Sequence, residues 1–126
     1  MSLSTVLYTS MTAKNIKIHL PYGDLSAFGP GKADLLEAIQ RTGSISAAAR
    51  DMGMSYKRAW DLVDTMNKSF RAPLVVTATG GSHGGGAQMS EFGTEVLRRY
   101  REIELKSYQA VGAELKALAG FLEPRE

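Results

Sequence analysis

Two stretches of the chain hold the residue types that could do chemistry. From Ala78 to Ala87 it reads ATGGSHGGGA, five glycines in ten residues around Ser82 and His83. Upstream, Ser55-Tyr56-Lys57-Arg58 sets a hydroxyl, a phenol and two cations side by side, with Asp61 a helical turn further on. A glycine run of that density suits three tasks. It can cradle phosphate on backbone N–H groups, supply part of an esterase oxyanion hole, or form the tip of a β-hairpin that meets something large.

The first two tasks fail on named residues. A Walker A loop ends in Gly-Lys-Ser/Thr, whereas Gly85-Gly86 runs into Ala87-Gln88. A dinucleotide fingerprint needs a glycine three residues after Gly86, and Met89 stands there. His83-Gly84-Gly85-Gly86 spells the HGGG string of lipases, but no Gly-x-Ser-x-Gly nucleophile elbow occurs in the chain. Its two histidines, His19 and His83, lie far apart without a ligand-spaced carboxylate pair. The absence of cysteine removes thiolate sites and disulfides together and fits a reducing cytoplasm. No catalytic residue, cofactor site, metal site or small-molecule ligand site is therefore expected, and the chain does not read as an enzyme.

Composition sets the scale for what remains. The 126 residues, 44% hydrophobic and 22% charged, make one ordinary soluble domain. No apolar run is long enough to span a bilayer, and the start MSLSTVLYTSMTAKNIK lacks the basic n-region of a secretory signal. A net charge of +2 permits a polyanionic partner without requiring one.

The elements that must position the two stretches follow from periodicity and punctuation. Residues 1–14 show no period and read as a flexible leader. Ile16, Ile18 and Leu20 alternate with Lys17 and His19, predicting a strand over 16–20, then a turn at Pro21–Asp24 and a short extended piece at Leu25–Phe28. A helix is expected from Lys32 to Thr42, ended by Gly43, and a second from Ser44 to Gly53. Ser55 caps a third, whose Ala59, Leu62, Val63, Met66 and Phe70 form a buried stripe ended by Pro73. Leu74–Thr77 and Ala87–Met89 read as strands on either side of the glycines, and Ser90 opens a long helix reaching about residue 119, interrupted at Gly93 and Gly112.

The helices around Gly53 satisfy the requirements of a helix-turn-helix. Gly53 supplies the left-handed turn, and Ala49, four residues earlier, is small where the helices must approach most closely. Ala48, Met52, Met54, Ala59 and Leu62 supply the apolar interior. A plain helical hairpin meets the same rules, so the element that follows decides: a β-hairpin after a helix-turn-helix is a wing. A glycine tip there lets backbone N–H groups reach phosphates without side-chain obstruction. The fold class is thus mainly α with a small β component, a winged helix-turn-helix of three-helix core, hairpin wing and long C-terminal helix.

The stretch GSISAAARDMGMSYKRAWDLVDTMN, followed by PLV and TATGGSHGGGAQMSEFG, resembles the N-terminal part of the ModE-type molybdate-responsive regulators, which have a LysR-like winged helix. The similarity covers about residues 30–105, and SYKRAWD with ATGG…GGGA is its specific signature. The resemblance implies a dimeric, cytoplasmic transcriptional regulator binding double-stranded operator DNA near genes for molybdate transport or molybdoenzymes. The chain departs from the family twice. Full-length members continue into a molybdate-binding portion, so no oxyanion pocket is expected in a sequence that stops at Glu126. The family's wing usually has a lysine where Ser82-His83 stands here, which makes phosphate contact weaker or dependent on His83 protonation.

In a helix-turn-helix the start of the second helix enters the major groove. The expected DNA-binding residues are Ser55, Tyr56, Lys57, Arg58 and Asp61, with Thr79, Gly80, Gly81, Ser82, His83 and Gly84 in the wing. Arg58 suits guanine, Lys57 a phosphate, and Asp61 either accepts from cytosine or orients Arg58. Asp64 and Lys68 are as well explained as solvated surface, and Trp60 as core packing with its indole N–H toward a phosphate.

Tyr108, Val111, Leu115, Leu118 and Leu122 step by three and four, the seam of a short coiled coil and the expected dimer contact. An intramolecular fold-back of the same helix would use the same residues. Upstream, Val96, Tyr100 and Ile103 are expected to pack on the winged helix. Arg98, Arg99 and Arg101 are expected to meet DNA or to pair with Glu95 and Glu102. The organisation expected is a leader at 1–14, the DNA-binding domain at 15–105 and a dimerisation segment at 106–126. The competing function is a protein-interaction module on the same scaffold: a basic surface at the helix start would favour DNA, an apolar patch there a protein.

Overall fold

The computed structural model describes residues 11–78 and 86–124. Strands β1 (Leu20–Tyr22) and β2 (Leu25–Phe28) precede helices α1 (Pro30–Thr42), α2 (Ile45–Met52) and α3 (Tyr56–Ser69). Strands β3 (Val75–Ala78) and β4 (Gly86–Met89) follow, and then α4 (Glu91–Ala119). Each strand pair is an antiparallel two-stranded sheet, with Val75 opposite Met89 and Ala78 opposite Gly86 in the second. This is a winged helix-turn-helix. The described chain falls into two compact units: one is Ile18–Tyr100, and the other joins the segment ending at Lys17 to the helix from Arg101 onward.

Caps and glycines set the helix boundaries expected at Gly43, Ser44, Gly53 and Ser55, whereas α1 begins at Pro30, two residues before the expected Lys32, because proline suits a helix's first position. Gly43 (φ 79°) and Gly53 (φ 68°) terminate α1 and α2 in the left-handed region that side chains rarely adopt. The Ser44 hydroxyl accepts from the Ala47 N–H at 2.9 Å, and the Ser55 hydroxyl from the Arg58 N–H at 3.1 Å. Ala48 and Ala49 are buried at the crossing of α2 and α3, as the need for a small side chain there requires.

The core of the first unit gathers Leu35, Leu36, Ile39, Val63, Met66 and Leu74 around an aromatic cluster. Phe28 meets Phe70 and Tyr100 edge-on, with centroids 5.9 and 5.0 Å apart, and Phe70 in turn meets Phe92. The buried Tyr100 hydroxyl donates to the Ile18 carbonyl at 2.7 Å. Tyr100 and Val96 pack as expected, but Ile103 is exposed and Leu97 is buried in its stead.

Four further expectations need correction. Alternation does bury Ile16 and Ile18 partly, yet no strand forms at 16–19 and Leu20 is exposed. The turn uses only Gly23 (φ 63°) and Asp24, so Pro21 and Tyr22 enter the ladder opposite Ser26 and Leu25. Helix α3 stops at Ser69, short of Pro73, because Phe70 leaves the helix to join the aromatic cluster. And α4 runs unbroken through Gly93 and Gly112.

In the second unit a short 3-10 turn at Ala13–Asn15 is closed by Thr12 and Asn15, and the Tyr108 hydroxyl donates to the Met11 carbonyl at 3.1 Å. Glu104 is buried there and accepts from Arg101 at 2.9 Å. Val111, Leu118, Phe121 and Leu122 are exposed, whereas Tyr108 and Leu115 are half-buried. No described helix is long and apolar enough to cross a membrane.

Candidate nucleic-acid interface

Helix α3 buries Ala59, Val63 and Met66, and its opposite face is open to solvent. Tyr56, Lys57, Arg58 and Asp61 all lie exposed along its first two turns. Ser55 is exposed too, but its hydroxyl is committed to capping, so its role is to start the helix. The Lys57 ammonium pairs with the Asp61 carboxylate at 3.1 Å, both side chains more than half exposed. An exposed i,i+4 pair of this kind is weak and opens readily to a stronger anion such as phosphate. Asp61 therefore partners Lys57 and not Arg58. Further along, Asp64 and Lys68 pair in the same way at 2.8 Å, as surface charges do.

The wing is anchored by three devices. The Asn67 side chain on α3 accepts from the Leu74 and Val75 N–H groups at 2.8 and 3.2 Å and donates to the Val75 carbonyl at 3.0 Å. The Ala87 N–H donates to the Gly43 carbonyl at 2.9 Å, fixing β4 to the turn between α1 and α2. The Ser90 hydroxyl donates to the Pro73 carbonyl and accepts from the Gly93 N–H, which ties the start of α4 to the start of β3. Asn67 went unnoticed in the sequence because its contacts are to backbone seven and eight residues away. An asparagine beside an apolar stripe, in the last turn of a helix eight residues before a strand, is the available signal.

The loop end of the β3–β4 ladder and the start of α3 share one cleft of about 320 Å³, lined by Ser44, Ser46, Tyr56, Trp60, Thr77 and Ala87. Trp60 is thus not core: it is 46% exposed and faces this cleft. Thr79, Gly80, Gly81, Ser82, His83 and Gly84 lie outside the described residues. Of the arginines on α4, Arg98 forks onto both oxygens of Glu95 at 2.8 and 3.0 Å, and Arg99 adds a bond at 2.7 Å. These guanidinium groups hold the Glu95 carboxyl down to about 2, Arg98 first and Arg99 second. Arg101 pairs with Glu104.

Comparison with known proteins agrees with this geometry. The sequence profile of the bacterial regulatory helix-turn-helix proteins of the lysR family matches residues 32–94, which run from α1 through the wing into α4. The molybdenum transport protein ModE of Azotobacter vinelandii is 43% identical over 86 residues, covering 68% of this chain and 32% of its own length. The molybdenum-pterin-binding protein MopB of Rhodobacter capsulatus is 51% identical over 76 residues, 60% of this chain and 28% of its own. The DNA-binding transcriptional dual regulator ModE of Escherichia coli is 39% identical over 85 residues, 65% of this chain and 32% of its own. The chain spans about a third of the length of these relatives. Over this region its sequence is similar to the ModE proteins, and it belongs to the bacterial regulatory helix-turn-helix proteins of the lysR family.

Proposed function

We propose that the chain binds operator DNA as a homodimer, with α3 in the major groove and the glycine-rich wing on the flanking backbone. One observation carries the reading: Lys57 and Arg58 stand exposed on the first turn of α3, beside a wing whose strands share a cleft with that helix. Arg58 is the guanine-reading candidate, since its planar fork matches the two acceptors of that base. Lys57 leaves Asp61 for a phosphate, a contact that adds affinity without sequence information. The chain acts by binding and not by catalysis.

The genes controlled are those of molybdate transport or molybdoenzymes, and the site of action is the cytoplasm. What supports the first statement is likeness to relatives whose names carry molybdenum. Val111, Leu118, Phe121 and Leu122 offer the apolar surface that a second copy would cover. A dimer places two recognition helices one turn of DNA apart, roughly 34 Å or a multiple of it, and so demands an inverted repeat.

The exposed Tyr56 and Trp60 favour a second reading, in which the same face docks on a protein. Selection from a pool of random duplexes separates the two. Enrichment of an inverted repeat supports the DNA reading, and failure to enrich any sequence at low salt overturns it.

A further inference from the structure

Tyr56 and Trp60 are 56% and 46% exposed, one helical turn apart on one side of α3. Neither the Tyr56 hydroxyl nor the Trp60 indole N–H bonds to any described residue. Two large aromatic side chains left in water at the start of a recognition helix form an apolar surface in the middle of a charged one. Lys57 lies beside them on the solvent side, and Thr77 and Ala87 of the wing close the cleft opposite. A partner of matching chemistry must offer apolar groups at the floor of an anionic groove. On the base edges of the major groove the only such group is the C5 methyl of thymine.

Resting on the DNA reading above, we propose that Tyr56 and Trp60 are specificity-determining residues that cover thymine methyl groups, on the wing side of the contacts made by Lys57 and Arg58. The helix then reads two chemistries at once. Arg58 reads guanine by its hydrogen-bond acceptors, and the aromatic pair reads neighbouring A·T pairs by shape and apolar contact. Burial of the pair against methyl groups removes from water the surface that folding leaves exposed, and so adds to affinity only where thymine is present.

The test is a thymine-to-deoxyuridine scan of the duplex obtained by selection. Each replacement deletes one methyl group and leaves the hydrogen-bonding pattern intact. The wild-type chain is expected to bind about fourfold more weakly at one or two positions per half-site, the ratio that ~0.8 kcal/mol for one buried methyl gives. Trp60→Ala is expected to bind the thymine and deoxyuridine duplexes alike at one of those positions, and Tyr56→Ala at another. Both side chains are about half exposed and lie outside the core, so circular dichroism should show the wild-type fold, and the wild-type scan needs no variant. Equal binding of both duplexes by the wild type at every position overturns the inference while leaving the DNA reading intact. So does a Trp60→Ala variant that loses affinity equally for both, which would mean packing on sugar or backbone. If Trp60→Ala leaves all DNA binding unchanged, the inference falls and the aromatic pair is left to a protein partner. If selection yields no duplex at all, both readings fall.

Discussion

Replacing Asn67 with alanine should loosen the wing from α3. Its amide makes three hydrogen bonds to Leu74 and Val75, residues that are almost wholly buried. Alanine leaves the Leu74 N–H and the N–H and carbonyl of Val75, at the start of β3, without that partner. At about 1 kcal/mol for each bond the loss is ~3 kcal/mol, since a buried group stripped of its partner forfeits its desolvation cost as well. For a domain of this size that lowers the melting temperature by about 10 °C. Thermal and urea unfolding followed by circular dichroism would measure it, with Thr65→Ala, on the exposed side of the same helix, as a control expected within ~0.5 kcal/mol. Residual folded Asn67→Ala should also lose specific DNA affinity, because β3 carries one side of the cleft beside Tyr56 and Trp60. A variant that melts with the wild type would refute the reasoning, since it would mean that β3 is held by its pairing with β4 alone.

Other outcomes follow from single positions. A Cβ at Gly93 would run into the Leu74 carbonyl, whose carbon would be 2.9 Å away, so Gly93→Ala should destabilise by about 2 kcal/mol or more. The same change at Gly112 meets only the Tyr108 ring at 3.4 Å and should stabilise by up to ~1 kcal/mol through helix propensity; urea midpoints of the two should move in opposite directions. Glu95 is held down to about 2 from an ordinary 4.5 by Arg98 and then Arg99. Being depressed, it contributes stability that is present above 4.5 and lost as the pH falls toward 2. Glu95→Gln should therefore flatten the acid limb in that window, and a carbon-13 titration of Glu95 with a midpoint at 4.5 would contradict the pairing. Val111→Glu with Leu118→Glu should yield folded monomers by light scattering, because both side chains are exposed; a persistent dimer, or a monomeric wild type, would remove the proposed interface.

Much of the helical frame was legible because helices announce themselves locally. Ser44, Gly53 and Ser55 act within their own turn, and the burial of Ala59, Val63 and Met66 follows from a 3.6-residue period. The strands were less legible. With three or four residues each, their position depends on a partner across a turn, and β1 moved to Leu20–Tyr22 for that reason. Trp60 was misplaced because it stands next to Ala59 at the edge of the stripe, where a small change in helix rotation decides between core and solvent. Ile103 and Leu97 exchanged roles at a similar edge. Asn67 and Ser90 act on backbone far from them in sequence, and no periodicity reveals such bonds.

The central claim is that α3 reads DNA through Arg58 and holds its backbone through Lys57. The measurement that tests it most directly is fluorescence anisotropy titration of the selected duplex across a range of salt, with the wild type, Arg58→Ala and Lys57→Ala. Arg58→Ala should cost about 1–3 kcal/mol and relax discrimination at one base pair, with the salt slope nearly kept. Lys57→Ala should weaken selected and unrelated duplexes alike and reduce the salt slope by about one. If both variants bind the selected duplex as the wild type does, with unchanged slopes, the start of α3 is not the DNA-reading surface and the account is wrong.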